Sequence, residues 1–132
     1  MSEQRVSRSL AIVKVIRARD EAGMHEMAIT KCVVETVCEH AAGRRVRSVR
    51  VEMGALCALL PDSVQFCFGL ATEGTVAEGA RLEFDVRPGS ARCRSCGGEF
   101  VLDELMQRCR CGSPDVEVLA GTDLKIVSME VS

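Results

Sequence analysis

The spacing of cysteines in residues 92–112, RCRSCGGEFVLDELMQRCRCG, constrains the fold of this 132-residue chain more than any other feature. Cys93 and Cys96 form a pair with two intervening residues and a following glycine. Cys109 and Cys111 form a second pair with one intervening residue. Thiolates from two such turns suit the closed, tetrahedral coordination of structural zinc. We therefore predict a four-cysteine zinc(II) site in a zinc-ribbon-like module, with a two-stranded excursion between the pairs.

Disulfides or loose thiols in a core are the alternative interpretations of these cysteines, but polar, glycine-rich surroundings favour metal. Residues 1–23 contain SLAIVKVI, which is too short and too charged for a convincing signal-peptide core. A reducing cytoplasm is therefore the expected location, and clustered cysteines there more often bind metal than form disulfides. Nearby arginines would offset the negative charge of a zinc tetrathiolate; they are Arg92, Arg94, Arg108 and Arg110.

Composition argues against several classes of function. The net charge is −2 and the pI about 5.7, whereas a nucleic-acid-binding domain is usually basic and often carries stacking aromatics. No apolar run approaches the length of a membrane span. A four-cysteine zinc site leaves no open coordination position for catalysis, and the only histidines are His25 and His40. We therefore expect that the protein is not an enzyme and that it binds neither nucleic acid nor a membrane.

Two segments have the period of an amphipathic helix. Residues 24–43 carry charged side chains every four residues opposite an apolar arc, and Gly43 is placed as a helix terminator. Residues 59–74 contain a second helical pattern, with Asp62 and Gln65 in a capping-box-like spacing. The apolar positions of this second pattern are Val64, Cys67, Phe68 and Ala71.

Three segments alternate as strands do: residues 45–54, 80–87 and 123–131. The alternation in the last of them slips by one position after Ile126, which indicates a β-bulge or an early strand break. If this strand returns to the sheet formed by the other two, residues 91–120 are an insertion. The predicted fold class is α/β, with a small sheet packed against two amphipathic helices and an inserted zinc-ribbon-like module.

The string Met24-His25-Glu26 precedes the first predicted helix. On its own, His25 is interpreted as a surface residue, and His40 as a solvent-facing residue near the helix end. The string is followed by the helix, then VEMGALCALLPDSVQFCFGLATEGTVAEGARLEF, the cysteine pairs and CGSPDVEVLAGTDLKIVSMEV. This order resembles the HypA/HybF family of hydrogenase maturation proteins over residues 24–131.

The resemblance implies a nickel metallochaperone with Ni(II) and Zn(II) sites. By this resemblance, Met24 would supply a terminal amine to nickel, His25 its imidazole and an amide, and Glu26 an amide or a supporting carboxylate. Nickel(II) in such a nitrogen-rich field favours a square-planar site. The cysteines that match the family's zinc ligands are Cys93, Cys96, Cys109 and Cys111. The family's second pair is usually C-x-x-C, so the C-x-C pair here is a departure.

The resemblance also divides the chain. Residues 24–90 plus 121–132 would form a nickel-binding α/β domain, residues 91–120 a zinc-binding module, and residues 1–23 an N-terminal extension. While that extension is attached, the nitrogen of Met24 is an amide with no basic lone pair. Three explanations are open. The start of the chain is misassigned or residues 1–23 are a tag, or the extension is cleaved during maturation. Otherwise the extension is retained, and nickel is bound more weakly by His25 with Glu26 or a thiol. The weak pattern of the extension favours a mistaken start.

The implied function is delivery of nickel to a nickel-enzyme precursor in NiFe hydrogenase maturation. The implied partners are a hydrogenase maturation GTPase and the precursor of the hydrogenase large subunit, with urease maturation factors as a further class. The protein would act as a monomer or homodimer. The alternative function, which the cysteine quartet alone would allow, is a zinc-ribbon module that binds protein or nucleic acid.

Overall fold

The computed structural model of the chain describes residues 8–16, 26–57, 59–103 and 107–132. None of the helices within these ranges is long and apolar enough to span a membrane. The elements in chain order are β1 (Arg8–Ile16), α1 (Glu26–Ala41), β2 (Val46–Gly54), α2 (Pro61–Ala71), β3 (Arg81–Arg87), β4 (Gly89–Cys93), β5 (Glu99–Leu102), β6 (Val116–Ala120) and β7 (Leu124–Val131).

The larger sheet has the strand order β1-β7-β2-β3. Strand β7 is antiparallel to both of its neighbours, whereas β2 and β3 are parallel. A parallel pair needs a crossover connection, and α2 lies in that connection. The predicted α/β class is confirmed, and the last strand does return to the sheet, between β1 and β2.

Helix α1 forms where the period predicts it. Its charged stripe of Lys31, Glu35 and Glu39 is exposed, and the opposite arc is buried in the core. The helix ends through two residues in the left-handed region, Ala42 at φ 50° and Gly43 at φ 85°, which confirms the expected role of the glycine. The buried residues of the helix are Ile29, Thr30, Val33, Val34, Thr36, Val37 and Ala41.

Helix α2 begins differently from the prediction. Pro61 is its first residue, and the N-cap residue Leu60 makes no side-chain capping bond, so the capping-box interpretation of Asp62 and Gln65 is wrong. Proline has no N–H to satisfy and its φ is already helical, so it starts the helix without a polar cap. Of the predicted apolar face, Val64 and Phe68 are fully buried, whereas Cys67 and Ala71 are half-buried.

The register of β7 contains the shift that its sequence predicts. Arg50 of β2 pairs with Ser128, but the next residue, Val51, pairs with Ile126, so Val127 is skipped. An extra residue of this kind changes which side chains face the core. The buried residues of the strand are Leu124, Ile126, Met129 and Val131. The predicted bulge is thereby confirmed.

Strand β1 lies in the N-terminal extension, where the sequence pattern alone predicts no clear element. It pairs with β7 from Arg8 opposite Val131 to Ile16 opposite Leu124. Ile12 is 1% exposed and Ile16 is 8% exposed, and both belong to the same apolar cluster as the two helices. Residues 8–16 are therefore an outer strand of the larger sheet.

The smaller sheet has the order β5-β4-β6, with both pairs antiparallel. The expectation of a two-stranded excursion between the cysteine pairs is wrong for the described residues, because β5 is the one strand that lies there and its partner β4 ends at Cys93, the first cysteine. Burial in this sheet is modest. Its apolar cluster consists of Leu56, Ala91 and Leu102, with Phe100, Val116 and Val118 packed at its margin.

The two sheets meet where three glycine backbones touch. A side chain on Gly54, at the end of β2, would overlap the backbone of Gly121, and one on Gly121 would meet the Cα of Gly89 at 2.5 Å. Gly121 has a φ of 108°, which other residues rarely adopt. Hydrogen bonds from the Leu56 N–H to the Gly121 carbonyl (2.8 Å) and from the Ala55 N–H to the Arg87 carbonyl (2.8 Å) secure the junction.

Candidate metal centre

Each cysteine pair lies in a tight turn closed by a glycine. The N–H of Gly97 donates to the carbonyl of Cys93 at 2.8 Å, and the N–H of Gly112 donates to the carbonyl of Cys109 at 2.9 Å. Both glycines have positive φ values, 77° and 89°. The second turn is one residue shorter, so the single-residue spacer before Cys111 is accommodated by the turn itself.

The four cysteine side chains converge on one point, and all of their Sγ atoms lie within 4.8 Å of one another. The Sγ atoms of Cys93 and Cys111 are 3.6 Å apart, as are those of Cys96 and Cys109. Zinc–sulfur bonds of about 2.3 Å in a tetrahedron place sulfur atoms about 3.8 Å apart. The donor set and its spacing therefore fit a four-coordinate zinc(II) ion, with each close contact joining one cysteine from each pair.

The four-cysteine cluster lies partly in the interior and partly at the surface of the protein. Cys93 and Cys109 are buried, whereas Cys96 and Cys111 are exposed. It is the single group of three or more cysteine, histidine or acidic side chains that could hold a metal within the described ranges, and it includes neither a histidine nor a carboxylate. All four ligand positions would be thiolates, which is typical of a structural site rather than a catalytic one.

Backbone N–H groups tune the first pair. The N–H of Cys96 donates to the Sγ of Cys93 at 3.4 Å and is the main cause that lowers the pKa of Cys93 to about 6. The N–H of Gly98 has the same lowering effect on Cys96, but the adjoining thiols of Cys109 and Cys93, together with burial, outweigh it and raise the pKa of Cys96. The lowered pKa favours the thiolate form of Cys93, which is the form that binds a metal ion.

Two of the four nearby arginines form ion pairs with carboxylates. Arg92 pairs with Glu99 at 3.2 Å and Arg94 pairs with Asp115 at 2.9 Å, and all four side chains are exposed. Carboxylates thus pair with both guanidinium groups, and the expectation that the arginines offset the thiolate charge stays a prediction. The Ser95 and Ser113 hydroxyls, 2.8 Å apart, link the two turns.

Of the three residues predicted to bind nickel, the structure describes one. Met24 and His25 are outside the described residues, and Glu26 is the first residue of the helix. Glu26 lines an open groove of about 480 Å³ between α1 and α2. The other lining residues are Met27, Asp62, Ser63, Phe66 and Cys67.

The periodic pattern of α2 did not single out this groove. Phe66, which lies off the predicted apolar face, is 68% exposed. The sequence did contain a signal for this groove, because the helical period assigns the large aromatic side chain of Phe66 to solvent.

The remaining histidine and thiols behave as structural residues. The ring Nδ1 of His40 is 2.8 Å from the carbonyl oxygen of Thr36, and the residue is exposed, as predicted. Cys38 and Cys57 pack against the main apolar cluster. Burial raises the pKa of the Cys57 thiol, which disfavours the reactive thiolate form.

Comparison with known families matches residues 24–131 to the family described as "Hydrogenase/urease nickel incorporation, metallochaperone, hypA". The chain belongs to the HypA family. The hydrogenase maturation factor HypA of Nostoc punctiforme is 47% identical over 108 residues, which cover 82% of this chain and 96% of that protein. The HypA of Geobacter sp. strain M21 is 44% identical over 110 residues, covering 82% and 99% respectively.

Solved HypA structures share the fold. The solution structure of the Ni metallochaperone HypA from Helicobacter pylori has a TM-score of 0.60 at 23% identity and covers 82% of this chain and 97% of that one. A second solution structure of a HypA protein has a TM-score of 0.62, also at 23% identity, with 84% and 98% covered. The HypA match begins at Met24, so β1 lies outside the matched region.

Proposed function

We propose that this HypA-family protein is a nickel metallochaperone that binds Ni(II) at Met24-His25-Glu26 and delivers it to a NiFe hydrogenase precursor. The observation that carries the proposal is the position of the family match, which begins at Met24. A Met-His-Glu string thus stands at the first position of the region that the chain shares with its family.

The chemistry of these residues suits a nickel cargo. The His25 imidazole and backbone amides form a nitrogen-rich ligand set, which favours square-planar nickel(II). Glu26 and Asp62 both line the groove beside the start of α1, and their carboxylates would attract a cation. An open groove also lets an ion enter and leave, which a carrier requires.

The four cysteines have a different part in the proposal. Cys93, Cys96, Cys109 and Cys111 would hold one structural zinc(II) ion in a module formed by residues 91–120. Residues 24–90 and 121–132 would form the nickel-binding domain. The glycine junction supports a link between the two, because its close backbone contacts leave little room for independent movement.

The proposed protein is a carrier and not a catalyst. It would work in the reducing cytoplasm, where clustered thiols remain available to metal. A hydrogenase maturation GTPase and the large-subunit precursor are the proposed partners, with urease maturation factors as further recipients. Neither nucleic acid nor membrane has a part in the proposal.

Nickel titration with matched histidine variants tests the proposal. We expect His25→Ala to lose tight nickel binding while keeping zinc, because the imidazole is the one strong side-chain nitrogen ligand of the set. His40→Ala removes the other histidine, which lies at the far end of α1, and should keep both metals. Calorimetry and elemental analysis of both variants provide the readout. Unchanged nickel affinity in His25→Ala would place the nickel ligands elsewhere.

The role of the terminal amine requires a separate comparison. We propose that a chain beginning at Met24 binds nickel more tightly than the full chain, because only the former has a basic amine at that position. Mass spectrometry of the protein from its native source identifies which form occurs. Equal nickel affinity of the two forms would contradict an amine-anchored site and leave His25 and Glu26 with a thiol as the candidate ligands.

A further inference from the structure

We propose that β1 is a strand that this chain adds to the HypA fold, and that it closes the β7 edge of the larger sheet against pairing with a second copy of the chain. The proposal concerns self-association and does not involve the nickel ligands. It gives the N-terminal extension a structural role that the family match, which begins at Met24, does not include.

The contact between β1 and β7 spans the whole length of both strands. Arg8 pairs with Val131 at one end and Ile16 pairs with Leu124 at the other. Ile12, at 1% exposure, joins the main apolar cluster. Backbone pairing and side-chain burial thus both attach β1 to the sheet.

Strand β7 has the burial of an interior strand. Its apolar residues are 0–1% exposed, and its hydrogen-bonding groups pair with β2 on one side and β1 on the other. These residues are Leu124, Ile126, Met129 and Val131. Without β1, a row of unpaired N–H and C=O groups would lie beside this apolar surface, and such an edge readily pairs with another strand.

Strand β1, in contrast, has features that protect an outer edge. Arg8 and Lys14 are exposed charged residues on it, and its pairing with β7 shifts register between Ala11 and Lys14. Charged side chains and bulges are the usual means by which outer strands avoid further pairing. The sheet therefore ends at a protected strand.

A second copy of the chain is the occupant that the open edge would accept. An antiparallel strand can pair with its own copy about a two-fold axis, so two exposed β7 edges are self-complementary. Both strands would bring the same apolar residues to the contact, and Lys125 and Glu130 carry opposite charges at its two ends. The predicted product is a symmetric dimer.

Hydrogen exchange on the unmodified full chain gives the first test. We expect the β7 amides that face β1 to exchange as slowly as those that face β2, because both edges are hydrogen-bonded. Fast exchange confined to the amides that face β1 would show an open edge and overturn the proposal.

Variants of the full chain give the second test. Ile12→Lys places a charge at a fully buried position of β1, whereas Val13→Lys is its control at a position that is 75% exposed. We expect Ile12→Lys to lower the thermal midpoint by about 8 °C or more and Val13→Lys to change it by no more than about 2 °C. Light scattering should find concentration-dependent dimers for Ile12→Lys only.

The milder Ile12→Ala variant separates edge opening from failure to fold. We expect its β7 amides facing β1 to lose protection by at least about tenfold, while β3 amides stay protected. A synthetic peptide of residues 8–16 should restore protection and reverse dimerisation, and the same peptide with Ile12→Lys should not. An Ile12→Ala protein whose β7 amides facing β1 lose protection but which stays monomeric at all concentrations would overturn the proposal.

Discussion

The two sheets of this protein are stabilised in different ways. The larger sheet shares an apolar cluster with both helices, with residues such as Val37, Val49 and Phe68 at 0–1% exposure. Within the described residues, the cluster of the smaller sheet contains only Leu56, Ala91 and Leu102 as fully packed members. In place of a large core, the smaller sheet has four convergent thiols at one end.

The contrast shows what each part needs in order to fold. The burial of many aliphatic side chains can stabilise the larger sheet without a ligand. A cluster of three buried residues, of which only Ala91 and Leu102 belong to the module, cannot offset the conformational entropy of its 30 residues. Small modules of this kind usually rely on metal or disulfides. Metal loss should therefore affect the two sheets unequally.

The largest expected effect follows from removing a ligand. Cys93→Ser should abolish zinc binding and unfold β4–β6, because structural zinc contributes about 10–16 kcal/mol of apparent binding free energy in small modules. Cys67→Ser, a half-buried thiol outside the cluster, is the control and should retain zinc. Elemental analysis and hydrogen exchange provide the measurement. Full zinc content in Cys93→Ser would contradict the assignment.

A substitution in the core of the larger sheet should destabilise that sheet and leave zinc binding by the smaller one intact. Phe68→Ala should reduce the free energy of unfolding of the larger domain by about 3–5 kcal/mol, because it leaves a cavity in that core. Phe66→Ala, at a position that is 68% exposed, should change the same quantity by no more than about 0.5 kcal/mol. Denaturant titration measures both. Loss of zinc from folded Phe68→Ala protein would show that the two parts are less separate than their cores indicate.

The glycine junction tests how closely the two parts are joined. Gly54→Ala should destabilise the protein by about 1–3 kcal/mol, because the added methyl would overlap the backbone of Gly121. Gly69 lies on an exposed part of α2, and a Cβ added there would meet no atom within 4 Å. Gly69→Ala should therefore stabilise the protein by about 0.5–1 kcal/mol. Thermal unfolding of the two variants provides the comparison, and equal midpoints would contradict a close-packed junction.

The smallest expected effect is a pH dependence confined to the smaller sheet. The folded state lowers the pKa of Cys93 from 9.0 to about 6, so the stability from its thiolate is complete above the unfolded pKa and is lost as pH falls through about 6. Zinc affinity should fall over the same range, because protons compete for the thiolate. Competition with a chelator between pH 5 and 8 measures the zinc affinity. An affinity that does not change with pH would contradict the lowered pKa of Cys93.

How far the sequence predicts the fold depends on the range of the interactions. Local sequence pattern predicts the period of α1, the alternation of β2 and the bulge at Val127, because each depends on residues that are close together in the chain. The spacing of Cys93, Cys96, Cys109 and Cys111 likewise predicts their convergence, because a tetrahedral metal site requires thiols from two tight turns. These features confirm the predicted fold class.

Only the tertiary structure decided the remaining features. Strand β1 has a weak pattern because an outer strand buries only part of one face, and its partner β7 is distant in sequence. The contact among Gly54, Gly89 and Gly121 joins three separate segments, and no local pattern records it. The physical reason is the same in each case. Periodicity encodes which face of an element is buried, whereas the identity of the covering residues depends on contacts between distant parts of the chain.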